Sequence, residues 1–294
     1  MNSLQVSQLF IYPVKSLRGF STNQAELTPL GLKYDRHWMI INEKQSFVTQ
    51  RKHPEMVLIK THIDDSCLYL SKEGMSDIRI PLKSSLNSQR NTFTATVWQD
   101  NCQVQDEGDE VAEWLMQALN SQKTLRLVRM ASNHARPQSK ADRFGSQNTT
   151  QFADAVAYLI CYQPSLDKLN QKLHSKGFEH CSMEQFRPNI VLKNTPSDQN
   201  NSELPPFSEH NVKAFAHANY VFDSHDHCQR CIVPTIDLKT GKKHPQQEPY
   251  KTLVQLNPMP NQAKAPAFGQ NATLKQANKE QLIKIDDPIL TIMT

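Results

Sequence analysis

One short segment of the chain, DSHDHCQRCIVPTIDLKTG, carries the densest group of reactive side chains: His225, His227, Cys228 and Cys231. Thiolates and imidazoles bind transition metals, and closely spaced cysteines can also form a redox-active disulfide. Four interpretations fit these residues: a structural zinc site, a redox dithiol, a single thiolate ligand to a soft metal, and two ordinary loop cysteines. By itself the segment therefore indicates metal or thiol chemistry without selecting one kind.

The surroundings of the two cysteines favour some interpretations over others. A closed zinc site usually takes its ligand pairs from two separated hairpins, whereas these candidates all lie in one stretch. Thioredoxin-like dithiols stand in a strand-helix pattern that is missing around Cys228. A lone cysteine beside an arginine, such as Cys231 next to Arg230, suits a thiolate ligand to a soft transition metal.

Basic side chains stand at the ends of several strand-like runs, in the strings YPVKS, YDRHWMI, VTQR and FRPNIVL. Lysine offers phosphate a compact charge, and arginine a planar fork of two donors. Arg187 and Asn189 occupy alternate positions, so both leave their strand on the same face. These groups fit a phosphate or the edge of a heterocycle, and solvated surface charges are the alternative. The candidates are Lys15, Ser16, Arg36, Arg51, Arg187 and Asn189.

The elements that must position these groups are mostly strands. The first hundred residues contain short runs rich in Val, Ile, Thr and aromatic residues, which predict a small antiparallel sheet or barrel. The string DEVAEWLMQAL predicts an amphipathic helix that closes this unit. A second helix is expected in PSLDKLNQKLH, with Ser165 as its N-cap. The fold class predicted from these patterns is mainly β with a few helices.

The domain division follows from a change of composition. A polar stretch with almost no aliphatic residues, 131–151, predicts a long loop or linker. We place one domain at 1–125 and a second at 126–294. The chain of 294 residues is long enough for both to have a core.

Charge and cysteine usage exclude several classes of protein. The net charge of +4 is too small and too evenly spread for a nucleic-acid groove. No run has the length of a membrane span or the pattern of a secretory signal. The six cysteines do not form a disulfide framework, which predicts a reducing, cytoplasmic location. We expect a monomer that binds neither nucleic acid nor membrane.

The motifs, taken in order, resemble those of MOSC-domain proteins that have an attached N-terminal β-barrel domain. This family includes the mitochondrial amidoxime reducing component and bacterial proteins that detoxify N-hydroxylated bases. The resemblance extends from residue 9 to about residue 271. It implies a barrel-like fold in both halves and a molybdenum-molybdopterin cofactor between them. The strings that carry it are LFIYPVKSLRG, GLKYDRHWMI, VTQR, FRPNIVL, CQRCIVPTIDLKTG with EPYKTL, and FGQN.

The same resemblance assigns roles to individual residues. It implies that Cys231 is the one protein ligand of the metal, that Cys228 is a neighbour, and that His225 and His227 are pocket or surface groups. Lys15, Ser16, Arg36 and Arg51 are the implied cofactor contacts from the first half. Those from the second half are Arg187, Asn189, Arg230 and Asn271.

The sequence also departs from the family pattern. Where relatives have two hydroxyl residues after an aspartate, this chain has FADAVAY, so Asp154 is followed by Ala155 and Val156. Two expected pterin contacts are therefore missing. Asp154 itself is a candidate for a catalytic role in proton transfer or substrate orientation, with a loop cap as the commoner alternative.

The function that the resemblance implies is two-electron reduction of small N-hydroxylated or N-oxidised molecules. No cysteine follows Cys231, the earlier ones are dispersed, and no G-x-G-x-x-G motif is present. A separate ferredoxin- or flavodoxin-type protein is therefore expected to supply electrons. The alternatives are a cofactor or sulfur carrier without reductase activity and a zinc-stabilised binding protein.

Overall fold

The computed structural model describes residues 3–83, 92–132, 134, 136–137, 148–195 and 203–293. These residues form mainly strands with three α-helices, which confirms the predicted fold class of barrel-like β domains. The helices are α1 Asp109–Ala118, α2 Gln163–Ser175 and α3 Tyr250–Leu256. The strands of the first half are β1 Ser3–Ile11, β2 Phe20–Thr22, β3 Gln24–Thr28, β4 Gly31–Leu32, β5 Trp38–Asn42, β6 Lys60–Ile63, β7 Cys67–Ser71, β8 Ile78–Pro81, β9 Phe93–Val97, β10 Asp100–Asp106 and β11 Leu125–Met130. Those that follow are β12 Arg136–Pro137, β13 Thr149–Thr150, β14 Tyr158–Tyr162, β15 Ile190–Asn194, β16 Val212–Ala216, β17 Tyr220–Gln229, β18 Pro258–Met259, β19 Gln262–Ala277, β20 Leu282–Lys284 and β21 Pro288–Met293.

Seven strands close into a barrel in the order β14-β15-β1-β21-β16-β17-β19, because β14 also pairs with β19. Closure leaves no free edge among these strands. Inward-facing apolar residues alternate with outward-facing ones and fill the interior. Residues of this core include Leu4, Val6, Leu9, Phe215 and Phe222.

The first strand of the chain belongs to this barrel. β1 lies between β15 and β21, and β3 pairs with β20, so residues near the start are hydrogen-bonded to strands of the second half. The hydrogen bonding therefore crosses the proposed division into 1–125 and 126–294, because β1 and β3 of the first range pair with strands of the second. The boundary itself stays a prediction.

The rest of the first half has its own sheets and core. One sheet has the order β5-β11-β10-β9 and another the order β6-β7-β8. Helix α1 matches the predicted amphipathic helix, and buries Val111, Leu115 and Ala118 against these strands. The half-barrel that results lies beside the closed barrel.

Helix α2 begins two residues before the predicted N-cap, so that prediction is wrong. Ser165 lies inside the first turn, and its hydroxyl donates to Glu209 Oε2 (2.8 Å) and accepts from the amide of Phe207 (2.8 Å). The Ser165 hydroxyl thus forms hydrogen bonds with residues distant in sequence and does not cap the helix.

Three further sequence predictions bear on the fold. Most of the predicted loop 131–151 lies outside the described residues. All six cysteines are free thiols, as expected from their spacing. Among the residues with a described structure, no helix has both the length and the apolar character needed to cross a membrane.

Candidate functional site

A cavity of about 670 Å³ lies between the half-barrel and the closed barrel. Both halves contribute to its walls, and every residue that the sequence predicted as a site residue lines it. From the first half these are Lys15, Ser16, Arg36 and Arg51. From the second half they are Asp154, Arg187, Asn189, Arg230, Cys231 and Asn271.

Lys15 and Asp154 form an ion pair on one wall. The lysine side chain is 6% exposed and the aspartate side chain 67% exposed. Lys15 Nζ also donates to the carbonyl oxygen of Phe152 (2.8 Å), and burial lowers the pKa of the lysine. Loss of water from around the Asp154 carboxyl raises its pKa. The charge of Lys15 and the hydrogen bonds from Lys15 and Trp98 outweigh this effect and hold the pKa of the carboxyl below its usual range.

Two guanidinium groups flank the ring of Tyr12. Their Cζ atoms lie 4.5 Å (Arg36) and 4.3 Å (Arg187) from the ring centroid. Arg36 pairs with the buried carboxylate of Asp35 and donates to the carbonyl oxygen of Arg187 (3.0 Å), while Arg187 donates to the carbonyl oxygen of Leu17 (2.6 Å). Burial, with the nearby charge of Arg36, lowers the pKa of Arg187 to about 10, so the Arg187 guanidinium stays charged at neutral pH.

Three of the predicted site residues have left-handed backbone conformations. The φ angles are +70° at Ser16, +49° at Arg36 and +56° at Arg187. Such conformations cost about 1–3 kcal/mol each in residues with a Cβ and are concentrated at functional sites, where the surrounding structure enforces them. The strain supports a role in ligand binding for these turns.

Cys231 follows the end of β17 and is exposed in the cavity. The sequence predicted that Arg230 acts on this neighbour, but the guanidinium donates to Sγ of Cys228 (3.0 Å) and to the carbonyl oxygen of Phe186 (2.6 Å). Successive residues of an extended chain point in opposite directions, which explains why the arginine reaches the cysteine two positions earlier. The thiol of Cys231 is therefore left facing the cavity.

The two predicted amides are already engaged within the protein. Asn189 is 1% exposed, and its Oδ1 accepts from the amide of Leu159 (3.2 Å). Asn271 Nδ2 donates to Asp226 Oδ1 (3.0 Å). Both residues line the cavity and join strands of its wall, and their contact with a cofactor stays a prediction.

Two family models match the chain. The MOSC N-terminal beta barrel domain matches residues 3–122, and the MOSC domain matches residues 147–290. Human mitochondrial amidoxime-reducing component 1 is 31% identical over 295 residues, which cover 97% of this chain and 82% of the human protein. The chain belongs to the MOSC protein family.

Other relatives of this MOSC protein carry two different names. Mitochondrial amidoxime-reducing component 1 of Mus musculus is 30% identical over 296 residues, 97% of this chain and 81% of the mouse protein. Molybdenum cofactor sulfurase of Bombyx mori is 28% identical over 260 residues, which are 85% of this chain but 30% of that protein. The predicted family is thus confirmed, and the names of its relatives imply a relation to the molybdenum cofactor.

The cavity of the MOSC protein fits an anionic cofactor held through sulfur. Five basic side chains line its walls, and Cys231 supplies an exposed thiol; the basic residues are Lys15, Arg36, Arg51, Arg187 and Arg230. The buried Nε of Arg230 has no acceptor among the described residues, which leaves a donor in the wall for a ligand. The volume lies within the range of about 300–1,000 Å³ that is typical of cofactor sites.

Sequence reasoning missed Trp98, which lies in the turn between β9 and β10. Its indole Nε1 donates to Asp154 Oδ1 (3.1 Å), and the guanidinium of Arg51 lies 4.4 Å from the ring centroid. The side chain is 38% exposed and its φ is +56°. The sequence offers one sign of this position, a tryptophan that follows a strand-like run and precedes Gln99-Asp100. Its partners Asp154 and Arg51 are distant in sequence, so the sequence does not link them to it.

The histidines near the cysteines have neighbours of their own. His227 lines the cavity and contacts His210 with ring centroids 4.0 Å apart and the ring planes tilted by 31°. His225 Nε2 lies 2.8 Å from Thr273 Oγ1. Burial lowers the pKa of all three imidazoles, that of His210 to about 4. In the described part of the chain no group of three or more His, Cys, Asp or Glu side chains is arranged to hold a metal.

Proposed function

We propose that this MOSC protein is a molybdenum-cofactor-dependent reductase of small N-hydroxylated or N-oxidised molecules. The observation that carries the proposal is one cavity lined by the exposed thiol of Cys231 and by buried or half-buried cations from both halves. The amidoxime-reducing components among its relatives name the class of substrate. The net reaction takes R–NHOH, two electrons and two protons to R–NH₂ and water.

When bound through Cys231, the molybdenum cofactor would supply the two-electron chemistry. The protein's own cations would hold its anionic groups. Lys15, Arg36 and Arg187 are fixed by hydrogen bonds to Phe152, Asp35 and neighbouring carbonyl groups, so their donors are positioned before a ligand arrives. Pre-positioned donors lower the cost of ordering on binding.

Asp154 would orient the substrate. The lowered pKa of its carboxyl keeps it ionised at neutral pH, which makes it an acceptor rather than a proton donor. Lys15 and Trp98 both donate to Oδ1, and the side chain is 67% exposed, so Oδ2 is accessible to an amidine or amine N–H. Of the two roles considered for this residue, the structure favours orientation.

The proposal is tested with protein purified together with its cofactor. It is incubated with benzamidoxime and reduced methyl viologen, and benzamidine is quantified by chromatography. We expect sustained product formation, none with cofactor-free protein, and parallel results with 6-N-hydroxylaminopurine. Absence of product from protein that contains stoichiometric molybdenum and pterin refutes the proposal.

A carrier of molybdenum cofactor or of sulfur is the second candidate. The similarity to molybdenum cofactor sulfurase over 85% of the chain favours it. In that function Cys231 would hold the cofactor or a persulfide without turning over a substrate. A carrier would reconstitute a cofactor-free molybdoenzyme when mixed with it, whereas a reductase would retain its cofactor through the same incubation.

Electron supply from a separate ferredoxin- or flavodoxin-type protein is part of the proposal. An iron–sulfur cluster of the ferredoxin kind needs four thiolates at close spacing. The six cysteines of this chain are dispersed, and two of them, Cys102 and Cys161, are fully buried in different cores.

We also propose that the protein is a monomer and that it is located in the cytoplasm.

A further inference from the structure

Two basic segments meet beside the cavity. The first is the pair Arg51-Lys52, and the second is the turn 237–243, which carries three exposed lysines. Lys243 Nζ donates to the carbonyl oxygen of Arg51 (2.7 Å) and so joins the two segments. We call this surface the basic rim. Its positive residues are Arg51, Lys52, Lys239, Lys242 and Lys243.

The turn presents its lysines on an ordered backbone. Asp237 Oδ1 accepts from the amides of Lys239 (3.0 Å) and Thr240 (2.6 Å), and the amide of Gly241 donates to the carbonyl oxygen of Asp237 (2.9 Å). Gly241 has φ +66°, and a Cβ there would lie 3.1 Å from the Cα of Glu55. The turn is thus packed closely against the 3₁₀ helix Pro54–Leu58.

The basic rim concentrates positive charge. Five basic side chains stand against two acidic ones, Asp237 and Glu55, in a chain whose total net charge is +4. The carboxylate of Asp237 is turned toward the turn's own amides, and that of Glu55 lies 3.2 Å from His53 Nδ1. Neither acid forms an ion pair with a rim lysine among the described residues, and the five basic and two acidic side chains together keep a net positive charge.

The basic rim borders the candidate cofactor site. Arg51 lines the cavity itself, with its guanidinium on the Trp98 ring. Ile232 and Val233 also line it, and they lie in the chain between Cys231 and the turn. A protein bound on the basic rim would therefore lie next to the wall of the cavity.

We propose that the basic rim is the docking surface for an acidic electron-carrier protein of the ferredoxin type. This inference rests on the proposed function, because an internal reductant would make such a surface unnecessary. Two reduced carriers, each oxidised by one electron, supply the electrons that one N–O reduction consumes. A negative carrier surface would be steered to this face by complementary charge.

The experiment replaces three lysines whose side chains have no hydrogen bond or ion pair in the described structure. The variant Lys52→Glu/Lys239→Glu/Lys242→Glu reverses the rim, and Lys123→Glu/Lys213→Glu/Lys284→Glu changes the same charge at exposed positions that do not line the cavity. A plant-type [2Fe–2S] ferredoxin is the probe. Its affinity is measured by calorimetry at 50 and 300 mM salt, and turnover of benzamidoxime is measured with NADPH, ferredoxin reductase and ferredoxin.

We expect the rim variant to bind ferredoxin about tenfold or more weakly at low salt, with a smaller salt dependence than the wild type. Ferredoxin-dependent turnover falls in parallel, and turnover with methyl viologen does not change.

Equal losses in both triple variants, or no binding by the wild type, overturn the inference. A changed KM for benzamidoxime with methyl viologen also overturns it, because the rim then acts on substrate. Failure of methyl viologen turnover in the wild type refutes the proposed function, while calorimetry still tests docking.

Discussion

At the scale of single residues, the two cysteines of CQRC have different surroundings. Cys228 receives a hydrogen bond from Arg230, while Cys231 is exposed in the cavity. We predict that Cys231→Ser loses molybdenum almost completely, because serine is a poor ligand for a soft metal. Cys228→Ser retains most of it, since a hydroxyl also accepts from the guanidinium. Metal-to-protein ratios of freshly purified variants decide the point, and equal loss in both would revive the paired-cysteine interpretations.

Arg36 has two tasks that substitutions can separate. Its Nη1 pairs with buried Asp35 and its Nη2 donates to the carbonyl oxygen of Arg187, which supports the fold. We propose that its remaining N–H donors bind the cofactor. Arg36→Lys keeps a charge beside Asp35, so we expect an almost unchanged melting temperature with roughly tenfold or greater loss of cofactor retention. Arg36→Ala leaves a buried carboxylate unpaired and costs about 3–5 kcal/mol of stability in addition. Unfolding and pterin release are measured on the same samples; identical stability of the two variants would contradict this division.

At the scale of elements, a buried carboxyl connects the 3₁₀ helix Ser208–Asn211 to α2. Glu209 is 3% exposed, and burial raises its pKa to about 7, although Ser165 donates to it. The folded state therefore favours the protonated carboxyl of Glu209 more than the unfolded state does. The associated stability is fully present below the unfolded pKa of about 4.5 and is lost as pH rises through about 7.

We predict that the wild type loses on the order of 3 kcal/mol of this stabilisation between pH 4.5 and 8. Glu209→Gln cannot ionise and keeps a donor and an acceptor, so its melting temperature should depend less on pH over the same interval. Denaturant unfolding at several pH values measures the difference. Parallel curves for the two proteins would show that Glu209 does not titrate in this range.

Elements with a local cause were predictable from the sequence. The periodicity of DEVAEWLMQAL gives α1, and β-branched runs give the strands. The site residues were found because their motifs resemble those of a family, not because spacing alone requires them to meet. The Ser165 hydroxyl, the Cys228–Arg230 contact and the position of Trp98 depend on partners far apart in the chain or on strand direction, so local pattern cannot give them.

At the scale of the whole molecule, the cavity joins the two halves, so a bound cofactor would be a link between them. Ligand bound only to the folded state stabilises it by about 2.7 kcal/mol when present at 100 times its Kd. We predict a higher melting temperature and slower limited proteolysis for cofactor-loaded protein than for cofactor-free protein. Lys15→Ala, which removes a cation contributed by the first half, should reduce this gain. The same melting temperature with and without cofactor would show that the ligand does not bridge the halves.

The pairing of β1 with β21 has a consequence for the nascent chain. Ser3 is opposite Leu290 and Gln5 is opposite Pro288, so β1 pairs with a strand that the ribosome makes much later. At about 5–20 residues per second, the ribosome leaves an interval on the order of tens of seconds between them. During that interval Val6 and Leu9, which are fully buried in the barrel, lack the strand that completes their surroundings. The half-barrel strands β6, β7 and β8 follow one another closely and can pair as they emerge, whereas closure of the barrel must wait until β21 has been made.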